Sequence, residues 1–459
     1  MQLGNAATSD ALDIVVRGGT IVAADRRFRA DIGIRDGRVV AVAEQLRGDT
    51  AIDARGLLVL PGLLDAHVHF RDPGMTYKED FRSGTRSAAV GGVTTVFDMP
   101  NTLPPVATAD GLADKIAAVS HKAHVDFGLY GMLGQSNADE IEKLAALGAV
   151  GLKLFMGQTT GDNPCPDDGA IFAGLRGAAA AGLVVGVHAE NNPLLQQLGR
   201  GLRALGRTDA RAHLESRPEL VEVEAVTRIL TLAHSAGTSL HIHHLSTGAG
   251  LDRVQLLRSL GHRVSVEALV GHLLLNDGAY DTYGNLVKLN PPIRPQRDVD
   301  ALWRGLAAGA VDIIATDHAP HSAQEQEECD VWRAPGGWIG VETLLPLLLT
   351  QAAAGRMTVS DIVRLCAHNP ARIWRVTDRK GALNVGCDAD LVLVDEQARG
   401  RIKASGLHSL HPVTPFDGVE TVGRVVATYL RGELVAAEGE PVGDPHGRQV
   451  GPAANGALA

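Results

Sequence analysis

Eight short apolar runs recur between about residues 57 and 375, each followed by a stretch with helical patterning. They cover residues 57–67, 93–97, 125–130, 150–155, 184–188, 239–244, 264–267 and 311–316. Strands that alternate with helices form right-handed crossover units and a parallel sheet. Eight such units over roughly 300 residues fit a closed (β/α)8 barrel better than an open sheet. Barrels of this type carry their chemistry at the C-terminal ends of the strands.

Side chains able to bind a metal stand at those ends. His67 and His69 follow the first run, and histidines at i and i+2 of an extended strand point to one side, where both can reach one ion. Lys153 lies in the fourth run, His188 ends the fifth, His244 ends the sixth and Asp317 follows the eighth. Taken singly, each reads equally well as a core histidine or a polar strand end. Six of them at one barrel face point to a metal centre for zinc or a similar ion.

The flanks read differently. Short β-type runs at 14–16, 20–22, 31–34 and 39–42 are separated by Gly18-Gly19 and by Asp36-Gly37, a hairpin dipeptide. Similar runs return at 390–394, 425–430 and 431–435. The expectation is a small β-sandwich domain built from residues 1–56 and 376–440 around a barrel at 57–375. The tail, 441–459, is expected to be flexible because it is rich in Gly, Pro and Ala.

Composition narrows the partners. With 45% hydrophobic residues, a net charge of -10 and no Lys/Arg cluster, a nucleic-acid or anionic-membrane surface is not expected, and a small molecule is. No apolar run approaches the ~20 residues of a membrane span, and Met1 to Asp10 lacks a signal-peptide pattern. Cys165, Cys329, Cys366 and Cys387 are scattered and fit a reducing, cytoplasmic setting.

The order His-x-His, Lys, His, His, Asp resembles the amidohydrolase superfamily, in particular its cyclic-amidase branch of dihydroorotases, allantoinases and dihydropyrimidinases or hydantoinases. The resemblance spans nearly the whole chain and rests on Pro61 to His69, Gly91 to Val96, Gly151 to Gly157, Thr316 to His321 and Asn369 to Arg372. It implies two divalent ions, zinc as a rule, bridged by a carboxylated Lys153 and a hydroxide. His67, His69, Lys153 and Asp317 would hold one ion, and Lys153, His188 and His244 the other. It also implies that Asp317 is the general base and acid. The chemistry is consistent: a lysine amine is a poor ligand for a dication, whereas its carbamate is an anion that can bridge two metals. A homodimer or homotetramer is expected.

For the substrate, Arg71, Asn101, Asn290 and His321 match positions that dihydroorotases use, so the resemblance implies first a dihydroorotase interconverting dihydroorotate and carbamoyl aspartate in pyrimidine biosynthesis. Allantoinase or dihydropyrimidinase activity is the alternative, and a non-catalytic assembly protein a further one. In the stretch Glu267 to Leu273 only His272 survives of a Pro-His-His pattern, while Ser216 to Glu219 and Trp332 have an allantoinase-like character. The turn-rich stretch Gly157 to Pro164 is expected to form a loop over the pocket.

Overall fold

The computed structural model describes residues 11–159 and 165–453. Its centre is a sheet of eight strands in sequential order: β1 (Leu63–Val68), β2 (Val93–Asp98), β3 (Asp126–Leu133), β4 (Gly151–Phe155), β5 (Val185–His188), β6 (Leu240–Ile242), β7 (Val264–Leu269) and β8 (Ile313–Ala315). Every neighbouring pair is parallel. Beyond β8 the chain returns to β1 through a Val68–His318 bridge, and the His69 N–H donates to the His318 carbonyl at 2.8 Å. The result is a nearly closed TIM-type barrel.

The apolar runs become strands because helices cover their outer face and side chains fill the interior, so both faces are dry. β1 to β5 are buried along their whole length. Side-chain oxygens of Asp80, Thr108, Asp167, Asn191 and Thr247 accept the first free N–H groups of the helices that follow them. Left-handed Gly182 and Gly237 end two of the longer helices. Leu112, Ile171, Leu175, Val226 and Ile229 from these helices share one core with Phe127, Leu154, Val187 and Val266 of the strands.

The first apolar run corrects the expected boundary. It is two strands in two sheets: Leu58–Pro61 pairs antiparallel with residues 391–394 and parallel with Thr20 and Ile21, and only then does the chain enter β1. Gly62 makes the passage possible, since a Cβ there would lie 2.0 Å from Thr94 Oγ1. The seven-stranded outer sheet thus holds strands from both ends of the chain, and a four-stranded sheet of N-terminal strands faces it. Asp36 and Gly37, at φ 51° and 72°, form the expected hairpin turn. Ile32, Ile34, Val39, Val59 and Leu391 make a second core between the sheets.

The expected flexible tail is a second correction as far as residue 453. Gly447 N–H donates to Ala123 O, Phe127 N–H to Arg448 O and Val450 N–H to Phe127 O, so this segment lies along the start of β3. These are long-range backbone pairings that a Gly/Pro-rich composition does not reveal. Residues 454–459, and Met1 to Asp10 at the other end, lie outside the described residues. Near the same strand start, Lys380 Nζ sits 2.5, 2.9 and 2.6 Å from carboxylate oxygens of Asp126, Asp388 and Asp390, tying the C-terminal segment to β3.

Candidate metal centre

The six sequence-predicted ligands converge at the C-terminal end of the barrel. His67, His69, Lys153, His188, His244 and Asp317 line one cavity together with Arg71, Asn101 and Asn290. Asp317 Oδ1 lies 3.3 Å from His67 Nε2 and 3.1 Å from His69 Nε2. Those three atoms meet at one place, as donors to a single ion would. Across the cavity His188 Nδ1 faces His244 Nε2 at 3.1 Å.

The other nitrogen of most of these rings is already engaged. His69 Nδ1 lies 2.9 Å from Asn101 Oδ1, His67 Nδ1 2.7 Å from Glu267 Oε1, and His188 Nε2 2.9 Å from Glu190 Oε2. Each of these oxygens can only accept, so each ring carries its proton there and turns a lone pair to the cavity. Carboxylate or amide oxygens behind metal-ligating histidines are the common way of fixing ring and tautomer. His244 Nδ1 is buried with no hydrogen-bond partner.

Electrostatics favour the metal-binding protonation states. Burial drives the His69 imidazole down to about 3 and pushes His188 and His244 below the usual histidine range as well. Burial raises the Asp317 carboxyl, but neighbouring His67, His69 and Lys153 outweigh it and hold the group below its ordinary value. Burial also lowers the Lys153 amine from 10.5 to about 8. Lys153 is 1% exposed, and its Nζ lies 5.2 Å from the centroid of the Phe155 ring. A buried, partly deprotonated amine is the form that can react with carbon dioxide. The donor set therefore fits divalent metal ions, and His67, His69, Lys153, His188, His244 and Asp317 are the residues that would hold them. A separate group of acids, Asp126, Asp388 and Asp390, also has the spacing of a metal site, but the Lys380 ammonium fills it.

Arg71, His244 and Asp317 all have positive φ, at 60°, 39° and 49°. Left-handed backbone at non-glycine residues is costly and collects where a site demands an unusual side-chain direction.

The four predicted substrate contacts divide. Arg71 lies in the cavity wall with Nε donating to Pro320 O at 3.2 Å, and no carboxylate among the described residues comes within ion-pair distance of it. Asn290 spans the cavity and its outer chamber: Nδ2 donates to Thr159 Oγ1 at 3.3 Å, while Oδ1 is buried without a partner. Asn101 reaches the cavity, yet its oxygen is engaged by His69. His321 stands behind Arg71 in the outer chamber, with Nε2 3.4 Å from Arg71 Nη2 and Nδ1 3.3 Å from Lys78 Nζ. His272 Nε2 lies 3.1 Å from Pro291 O, beside Asn290. In the expected loop, residues 157–159 are irregular, and 160–164 lie outside the described residues.

Sequence reasoning missed Glu267 and Glu190, which lie behind the ligands. The available signal was a single acid within the strand-like run Val264–Leu269 and another two residues past the end of β5. Arg217, from the segment with allantoinase-like character, pairs with Glu190.

A model described as the amidohydrolase family matches residues 58–435. An allantoinase of Rubrobacter xylanophilus is 41% identical over 447 residues, covering 96% of this chain and 98% of that protein. A dihydroorotase of Methanothermobacter thermautotrophicus is 39% identical over 392 residues, 85% of this chain and 86% of that protein. Among solved structures, the L-hydantoinase (dihydropyrimidinase) of Arthrobacter aurescens superposes with a TM-score of 0.94 at 34% identity, covering 96% of this chain and 100% of that one. The likeness to allantoinases and hydantoinases thus reaches further along the chain than the likeness to dihydroorotases, and it supports the alternative activity better than the one placed first.

Proposed function

The chain belongs to the amidohydrolase family and is a cyclic amide hydrolase, and we propose that its substrate is a cyclic ureide of the allantoin or hydantoin kind, opened at a ring amide. One observation carries the reading: the six donor side chains meet around one cavity of a chain whose full-length likeness is to an allantoinase and a hydantoinase.

In this reading His67, His69, Lys153 as its carbamate, and Asp317 hold one divalent ion, and Lys153, His188 and His244 hold the second, with zinc the natural choice for this nitrogen-rich set. Bound ions of this kind lower the pKa of a water and polarise the carbonyl under attack. The remaining chemistry belongs to the chain. Asp317 accepts a proton from the attacking water at its carboxylate. As the C–N bond breaks, it returns that proton to the ring nitrogen, which would otherwise leave as a high-energy amide anion. Asn290, with its buried and unpartnered Oδ1, is placed to accept from a ring N–H. Arg71 is placed to donate to an oxygen on the ring or its substituent.

A second reading rests on Arg71. A buried guanidinium in the cavity wall, with no carboxylate among the described residues within ion-pair distance, is suited to a substrate that brings its own carboxylate, as dihydroorotate does. Zinc-loaded protein offered allantoin, hydantoin, dihydrouracil and dihydroorotate side by side decides between the two. Preference for allantoin or hydantoin supports the proposal. Preference for dihydroorotate replaces it with the second reading.

A further inference from the structure

β7 supplies none of the six ligands, yet Glu267 from its middle reaches under the centre. It is fully buried, and a single oxygen, Oε1, lies 2.7 Å from His67 Nδ1 and 3.0 Å from the backbone nitrogen of His244. The other oxygen, Oε2, lies 3.0 Å from His243 Nδ1 and 3.4 Å from His241 Nε2. The carboxylate thus has a partner on both oxygens. Gly186 of β5 leaves room for the His243 ring, since a Cβ there would lie 2.1 Å from His243 Nε2.

The geometry points to Glu267 as the positioning residue that braces both halves of the metal centre at once, through the ring of His67 on one side and the main chain of His244 on the other. This rests on the two-ion reading above. The braces seen elsewhere each serve one half: Asn101 holds only His69, and Glu190 only His188. Glu267 alone among these three touches a ligand from each proposed ion. The contact to His244 matters because that residue sits at φ 39°, a backbone conformation that needs outside support. The contact to His67 fixes the proton on Nδ1 and leaves Nε2 facing Asp317.

The test compares Glu267→Gln, Glu267→Asp and Glu190→Gln with the parent in the full-length protein. Zinc affinity of each equivalent is measured by competition with a chromophoric chelator, and the melting temperature with and without zinc. Removing a group that orients metal ligands weakens affinity by roughly 10- to 100-fold. Glu267→Gln should weaken both equivalents in that range and shrink the rise in melting temperature that zinc produces. Glu190→Gln should weaken only one equivalent, and Glu267→Asp should recover part of the loss. Should Glu267→Gln fail to fold, the Glu267→Asp titration carries the same comparison. Parent-like affinity for both equivalents in a folded Glu267 variant overturns the inference, as does loss confined to one equivalent. A metal ion found within bonding distance of Glu267 also overturns it, making the residue a ligand. If the parent itself binds no zinc, it is the two-ion reading that fails.

Discussion

His188 Nδ1 and His244 Nε2 face one another at 3.1 Å, brought together by β5 and the turn after β6 from positions 56 residues apart. Because His188 donates its Nε2–H to Glu190, the nitrogen aimed at His244 is a lone pair. With the His244 proton on Nδ1, both facing nitrogens would be free to bind a shared cation. The parent protein is therefore expected to hold about two zinc ions per chain, and His188→Ala about one. Elemental analysis of protein dialysed against metal-free buffer checks this. Equal metal content in the two proteins would separate His188 from the centre.

The Lys153 amine gives a pH dependence. In the metal-free protein its pKa is lowered by burial to about 8 from 10.5. Between those values the folded state has released a proton that the unfolded state keeps, so stability of the metal-free form should rise with pH across the window rather than fall. The carbamate also forms only from the neutral amine. Recovery of activity from metal-free protein given zinc at fixed dissolved carbon dioxide should accelerate with a midpoint near pH 8. A midpoint near 10 would mean that Lys153 is not desolvated as described.

Asp317→Asn keeps the shape of the side chain and removes the proton acceptor. Turnover is expected to fall by at least ~100-fold while zinc remains detectable. Near-parent turnover with metals bound would assign the proton transfer to another group.

Arg71→Met separates the two substrate readings. An arginine–carboxylate pair in a buried pocket contributes ~1.5–3 kcal/mol. The variant should lose dihydroorotate turnover by roughly tenfold or more beyond its loss on hydantoin, as that range converts at 1.4 kcal/mol per tenfold. Equal losses on both would show that Arg71 does not read a carboxylate.

The barrel and its ligand face are legible in the sequence for a physical reason. Strands buried on both faces read as apolar runs, and a polar side chain able to bind metal stands out in or at the end of one, as Lys153, His188 and Asp317 do. What lies behind the ligands is not legible in the same way. Glu267 has no spacing partner in sequence, and its four contacts come from β1 and from β6 with the turn after it. The division of residues 57–67 between two sheets depends on which strands arrive beside Leu58–Pro61, and one of those comes from residues 391–394. Asn101 read as a substrate contact because its position matches one, while the structure shows its oxygen already holding His69.

The most direct test follows allantoin opening by one protein sample through metal removal and return. The zinc- and bicarbonate-loaded protein should open allantoin or hydantoin, lose that activity on chelation while staying folded, and regain it with zinc and bicarbonate but not with bicarbonate alone. Ring opening that survives complete metal removal would contradict the account, as would a fully metallated protein that opens no cyclic ureide.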